Sequence, residues 1–173
     1  MLKMTEELFN RFADMQELLD SEIRTKKEID SDSWLEELHI NHTLALKGEV
    51  SEFINEAKDL WKYWKSKAVV PDQLIDEAVD IVHFIHLLLN KDVGDHKAYV
   101  WFINNRIDSL SVLKRDYRFH LNNMYKADKL EDYLEIYAIL LIVLDHYNFT
   151  LDDIEAAYKR KNAENFKRQE RNY

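Results

Sequence analysis

Residues 77–84 read Glu77-Ala78-Val79-Asp80-Ile81-Val82-His83-Phe84, inside a stretch that opens on the chain's single proline, Pro71. Proline pushes the residue before it out of helical geometry, so Ala68-Val69-Val70-Pro71 ends whatever element precedes it. From about Asp72 to Leu89, Leu74, Ile75, Ala78, Val79, Val82 and Leu89 recur at helical spacing, which predicts a helix with one apolar stripe. Glu77 and Asp80 border that stripe, three residues apart and so on one helix face. Upstream, Ser33 followed by Glu36 has the form of a capping box. It predicts a helix running unbroken to about Ser66, with Leu38, Leu44, Ala45, Val50, Phe53, Ala57, Leu60, Trp61 and Trp64 as apolar positions. Inside it stands a second acid pair, Glu49-Val50-Ser51-Glu52. The short link after Ser66 makes the two helices antiparallel neighbours in a bundle. Four carboxylates are then expected at or near one helix–helix interface.

Further out, Leu8, Phe12, Met15 and Leu19 mark a first helix over about residues 4–28. The stretch 96–123 is expected to be helical, as is 129–146, and Thr150 with Asp153 caps a last helix reaching into the C-terminal tail. Two glycines and one proline in 173 residues cannot supply the turns of a sheet-rich fold. The expected class is all-α: a bundle of about five to seven helices in one domain spanning 1–173. Gly48 falls inside a predicted helix, either at a close approach or as simple tolerance.

With no cysteine there is no disulfide framework, thiolate metal site or cysteine nucleophile, which is compatible with a reducing setting. The net charge of −9 disfavours a general affinity for nucleic acid backbones, although a bound cation reverses the local field and can admit a polyphosphate. The N-terminal residues do not form a signal peptide. The most apolar run, Tyr137 to Leu144, is far short of a membrane span. The expectation is a soluble, cytoplasmic protein (host cytoplasm if viral) with no nucleic acid and no membrane partner.

Carboxylates gathered in a partly dry site repel unless a cation balances them. Hard divalent cations take oxygen ligands, and Mg²⁺ commonly uses a few carboxylates together with waters and substrate phosphates. In a chain with 33 acidic residues, however, acid pairs also arise by chance on solvated faces, as with Glu52 and Glu56 or Asp72 and Asp76. Spacing alone leaves both readings open. Lys161, Asn165 and Arg168 fall on one face of the last helix, suited to phosphate oxygens and sugar or base edges, or equally to a solvated basic helix end. Trp61 and Trp64 fit base stacking or core filling. His83 is a partner for a metal carboxylate or a core-boundary residue. The aromatic positions Tyr99, Trp101, Phe102 and Tyr117 point to packing.

At these residues the sequence resembles the dimeric all-α dUTPase family, part of the all-α NTP pyrophosphohydrolases that include MazG-like proteins. The shared pattern is E-x-x-E on one helix, here Glu49 to Glu52, and E-x-x-D on the next, here Glu77 to Asp80. Met15-Gln16-Glu17-Leu18-Leu19-Asp20 looks like the family's N-terminal segment, Trp61-Lys62-Tyr63-Trp64-Lys65 like its Trp- and Lys-rich helix end, and Lys161-Asn162-Ala163-Glu164-Asn165-Phe166-Lys167-Arg168-Gln169 like its C-terminal motif. Asp20 departs from the family's frequent Asn, and Asn172-Tyr173 from its Gly-Tyr ending. None of these matched segments falls in the stretch 92–146, which is read as a variable helical segment and as the place for a protein partner if there is one.

The resemblance implies an all-α homodimer hydrolysing dUTP, with dUDP as a second substrate, to dUMP and pyrophosphate. It implies Mg²⁺ held by Glu49, Glu52, Glu77 and Asp80, with Glu49 positioning or deprotonating the attacking water. Gln16 and Asn162 are implied for base or sugar recognition, Lys161, Asn165 and Arg168 for phosphate and ribose, and Trp61 for the base. Two alternatives stand beside it: a related pyrophosphohydrolase acting on dCTP or a non-standard nucleotide, and a helical protein-interaction module that keeps the fold.

Overall fold

A computed structural model describes residues 1–92, 94–113 and 116–171. Helix α1 (Glu6–Lys27) starts where the Thr5 hydroxyl accepts the Leu8 N–H, and stops at Glu28. Glu28 adopts φ 53°, and its N–H closes on the Arg24 and Thr25 carbonyls. Helix α2 covers His39–Glu56, α3 Pro71–Leu89, α4 His96–Val112, α5 Tyr117–Asn123, α6 Leu130–His146 and α7 Leu151–Glu170. Pro71 occupies the first turn of α3, where its fixed φ suits the helix and its missing N–H costs no hydrogen bond. Thr150 and Asp153 form the expected reciprocal cap of α7: each bonds the other's backbone N–H. No strand occurs among the described residues, so the fold is all-α.

Helix α3 is the centre of the bundle. It is buried on most of its circumference and packs against α2, α7, α1 and α6. One apolar cluster draws side chains from all seven α-helices. Across it runs an aromatic column: Phe12 of α1 stacks on Tyr158 of α7 at 4.2 Å, and Tyr158 stacks on His83 of α3 at 4.0 Å. The Tyr158 hydroxyl also donates to the Phe12 carbonyl. This column fixes α1, α3 and α7 against one another, and the site described below lies where they meet.

The structure corrects three local expectations. The helix expected over 33–66 is interrupted at both ends. Ser33 is not a cap; its N–H and hydroxyl both donate to Asp30, and Ser33–Glu37 forms a π-helical segment that buries Trp34. At the other end α2 stops at Glu56 and only a 3₁₀ turn, Lys58–Leu60, follows. The Trp61 indole N–H folds back 2.8 Å from the Ile54 carbonyl, taking the acceptor that a continuing helix would use. The stretch 96–123 is two helices, since the Asp116 side chain caps the Arg118 N–H and restarts the chain as α5. Of the aromatic positions there, Tyr99 is buried, whereas Trp101 faces solvent.

A side chain at Gly48 would meet nothing, so that glycine is tolerated rather than required. Gly94 is different: a Cβ there would collide with the Tyr99 ring. No single helix among the described residues is long and apolar enough to cross a membrane.

Candidate active site

Because α2 and α3 lie side by side, their acid pairs meet. One oxygen from each of Glu49, Glu52 and Glu77 lies within 4.8 Å of the others. Burial pushes the Glu49 carboxyl up to about 7, helped by the negative charges of Asp80, Glu52 and Glu77 and opposed by Lys161. Glu77 is raised by the same causes: burial first, then Asp80 and Glu52. A cluster of hard oxygen donors that resist ionisation together is suited to a divalent cation, which would remove that repulsion. The residues present therefore fit such an ion.

Asp80, expected as the fourth ligand, is near enough for its charge to raise Glu49 and Glu77, but it is engaged by Lys161. Its Oδ2 lies 2.6 Å from the Lys161 Nζ, and both side chains are largely buried. Burial still raises the Asp80 carboxyl, against the hydrogen bond and charge of Lys161. For Lys161, burial acts to lower the ammonium, but the Asp80 hydrogen bond and charge outweigh it and the net shift is upward. The pair is thus an ion pair at the edge of an acidic cluster. Lys161→Met is expected to destabilise the protein by about 1–3 kcal/mol, the cost of leaving Asp80 without its partner. Urea unfolding with divalent cations withheld measures this, and an unchanged midpoint would show that the pair is dispensable.

A cleft of about 260 Å³ opens beside Glu49 and Asp80. Its polar wall comprises Gln16, Asp20, His83, Asn165, Arg168 and Gln169, and its apolar wall Leu19, Ile23, Phe84 and Leu87. Glu52 and Glu77 line a second cleft with Ser51, Asn55 and Glu56. The carboxylate cluster thus connects two recesses. Arg168, which also pairs with Glu164 at 2.6 Å, brings positive charge to the first of them.

Of the residues singled out in the sequence, Gln16, Asn165 and Arg168 reach the cleft, and Lys161 reaches its border through Asp80. Two do not. Asn162 is buried and donates to the Met15 carbonyl, tying α7 to α1. Trp61 lines a separate recess with Ile54, Arg118, Leu121, Asn122 and Tyr125. It lies edge-on to Trp64 and beneath the Lys62 ammonium. The Asn172-Tyr173 ending lies outside the described residues. Asp20 and Phe84 are cleft residues that sequence reasoning left without a role. The signal for Phe84 was faint: one aromatic on the acid-bearing helix.

Gln16 lines the cleft with both polar atoms already engaged. Its Nε2 donates to Asp20 Oδ1 at 2.7 Å, and its Oε1 faces His83 Nδ1 at 2.7 Å and accepts from the Tyr158 hydroxyl at 3.3 Å. Burial holds the His83 imidazole down at about 3, so it is neutral. With Nδ1 donating to Gln16, its Nε2 carries a lone pair.

No curated protein matches the sequence. A family model does: the one described as dUTPase, over residues 8–173. The match takes in both acid pairs, Gln16 and the basic face of α7, and on that evidence the chain belongs to the dUTPase family and is a nucleoside triphosphate pyrophosphohydrolase, a dUTP diphosphatase.

Proposed function

We propose that the protein hydrolyses dUTP, and dUDP as a second substrate, in a Mg²⁺-dependent reaction centred on Glu49. The observation that carries this reading is the double position of Glu49. It belongs to the carboxylate cluster and, alone of the cluster's three residues, lines the cleft. Glu49, Glu52 and Glu77 would hold the cation, and Asp80 would serve as the charge partner of Lys161 at the rim. The bound ion supplies neutralisation of the polyphosphate and a lowered barrier to ionising water.

The chain's own residues do the rest. Glu49 Oε accepts the proton of the water whose oxygen attacks phosphorus, while the bond between the α and β phosphoryl groups breaks and pyrophosphate leaves. Lys161 and Arg168 offer donors for phosphate oxygens, and Asn165 a donor and acceptor for the ribose. Leu19, Ile23, Phe84 and Leu87 give the base an apolar slot.

The protein is read as one domain acting in the cytoplasm, with no nucleic acid or membrane partner. A homodimer is supported by exposed aromatic side chains on the segments that form the Trp61 recess: Tyr63 and Trp64 after Trp61, and Phe119 and Tyr125 on and just after α5. A protein partner at 92–146 would share that surface through α5.

Pyrophosphate release from dUTP, dCTP and the other deoxynucleotides, with Mg²⁺ and then with excess chelator, tests the proposal. Preference for dUTP that chelator abolishes is the expected result. Equal rates on every nucleotide would remove the uracil assignment, and chelator-resistant turnover would remove the cation.

A further inference from the structure

One cation is already lodged among the site's acids. Lys161 Nζ lies 2.6 Å from Asp80 Oδ2, and the two side chains are 15 % and 19 % exposed. The same ammonium opposes the upward shift of Glu49 and of Glu77 as well as that of Asp80. Its charge therefore acts on both acid pairs, the one on α2 and the one on α3. A divalent cation held by Glu49, Glu52 and Glu77 would balance the same acids with twice the charge. Two cations at one cluster repel each other, so the ammonium and the ion compete.

The packing of α7 lets the ammonium leave without the helix. Arg160, the residue before Lys161, pairs with Asp76, one turn before Asp80 on α3. Asn162, the residue after it, donates to the Met15 carbonyl of α1. Tyr158, three residues earlier, is stacked between Phe12 and His83. The backbone on both sides of Lys161 is thus held by contacts that do not involve Asp80, whereas Lys161 itself is tied at its tip. Lysine carries its charge on a flexible four-carbon stem, which can swing while the backbone stays fixed. Asp80 has a short stem on the central helix and lines the cleft beside Glu49. Without the ammonium its carboxylate is a hard oxygen donor of the kind Mg²⁺ takes.

We propose that Lys161 is a resident counter-ion that a divalent cation must displace from Asp80. Loading of the ion and release of the ammonium toward the polyphosphate are then one event. This rests on the reading of the cluster as a cation site, and it makes Lys161 the residue that sets how tightly the ion is held.

Calorimetric titration of the metal-free full chain with Mg²⁺ tests this. Lys161→Met keeps most of the side chain's length and removes the competitor, and it should tighten Mg²⁺ binding by about tenfold or more. Lys161→Arg keeps a cation on Asp80 and should bind no more tightly than the wild type. In an Asp80→Asn background there is no carboxylate to compete for, and Lys161→Met should change the affinity by less than about threefold. Equal tightening in both backgrounds would mark a general effect of charge and overturn the proposal. An unchanged affinity in Lys161→Met alone would also overturn it.

A second measurement needs no variant. Amine labelling of the wild type is read by mass spectrometry at Lys161 against the exposed Lys97. Labelling of Lys161 should rise several-fold when Mg²⁺ saturates the protein. Labelling that Mg²⁺ leaves unchanged overturns the proposal, and this readout decides if Lys161→Met does not fold.

A parallel dUTP turnover assay on the wild type separates the two readings. Chelator-sensitive turnover with equal Mg²⁺ affinities overturns this proposal alone. Tighter binding in Lys161→Met without wild-type turnover upholds it and overturns the catalytic reading. No Mg²⁺ binding in any of these proteins overturns both.

Discussion

Glu49→Gln is expected to lower kcat for dUTP by about 10³-fold, with a much smaller change in KM, in steady-state assays at saturating Mg²⁺. Glutamine keeps the size of the side chain and one carbonyl oxygen, so the slot and the rim remain. It removes the group that takes the proton from water, together with one charge of the cation cluster. The same substitution should raise the thermal midpoint of the metal-free protein above about pH 7. The sign follows from the upward shift. A carboxyl whose folded value is about 7 leaves stability intact below its unfolded value, and stability falls as pH rises from there through 7. Gln never ionises and escapes that loss. Loss of turnover together with a higher midpoint would separate a chemical defect from unfolding. Activity within tenfold of wild type would refute the role given to Glu49.

Phe12→Ala is expected to cost about 3–5 kcal/mol, near the upper end for a single core truncation. Phe12 is fully buried and sits at the head of the column that passes through Tyr158 to His83. Its removal opens a cavity between α1 and α7, two helices also tied by the Asn162 to Met15 bond. The effect should extend to function, because His83 is held partly by the ring stacked on it. KM for dUTP should therefore rise while kcat changes little. Denaturant unfolding with an unchanged slope measures the first effect, and a loss below about 1.5 kcal/mol would mean the column is not a support.

The helix carrying Glu77 and Asp80 was legible because everything that defines it is local: Pro71 at its start, apolar residues at helical spacing, and acids on the border of the stripe. The end of α2 was not legible, since no Gly or Pro marks Glu56. The stop comes from Trp61 turning back to the Ile54 carbonyl, a bond that exists only once the chain has turned. On α7 the grouping of Lys161, Asn165 and Arg168 could be read from helical phase. By the same phase Asn162 is turned about 100° from Lys161, and it faces α1. Gln16 could be assigned to the site, but its engagement could not. That depends on His83, 67 residues away in the chain. Asp80 illustrates the same limit: spacing placed it with the other acids, but its ion pair with Lys161 of a distant helix could not be read from spacing.

The position of α7 has a consequence for how the protein folds. Acids and slot are contributed largely by α1, α2 and α3, which end at Leu89, while the cationic wall begins only after Leu151. Docking α7 closes a long loop, and loop closure across such a separation is paid before the contacts that reward it, which slows folding. The three earlier helices can collapse on local contacts. In that intermediate Asp80 lacks its ammonium, and the ring of Tyr158 is missing from between Phe12 and His83. A refolding population would then regain helicity before it regains the ability to bind a nucleotide.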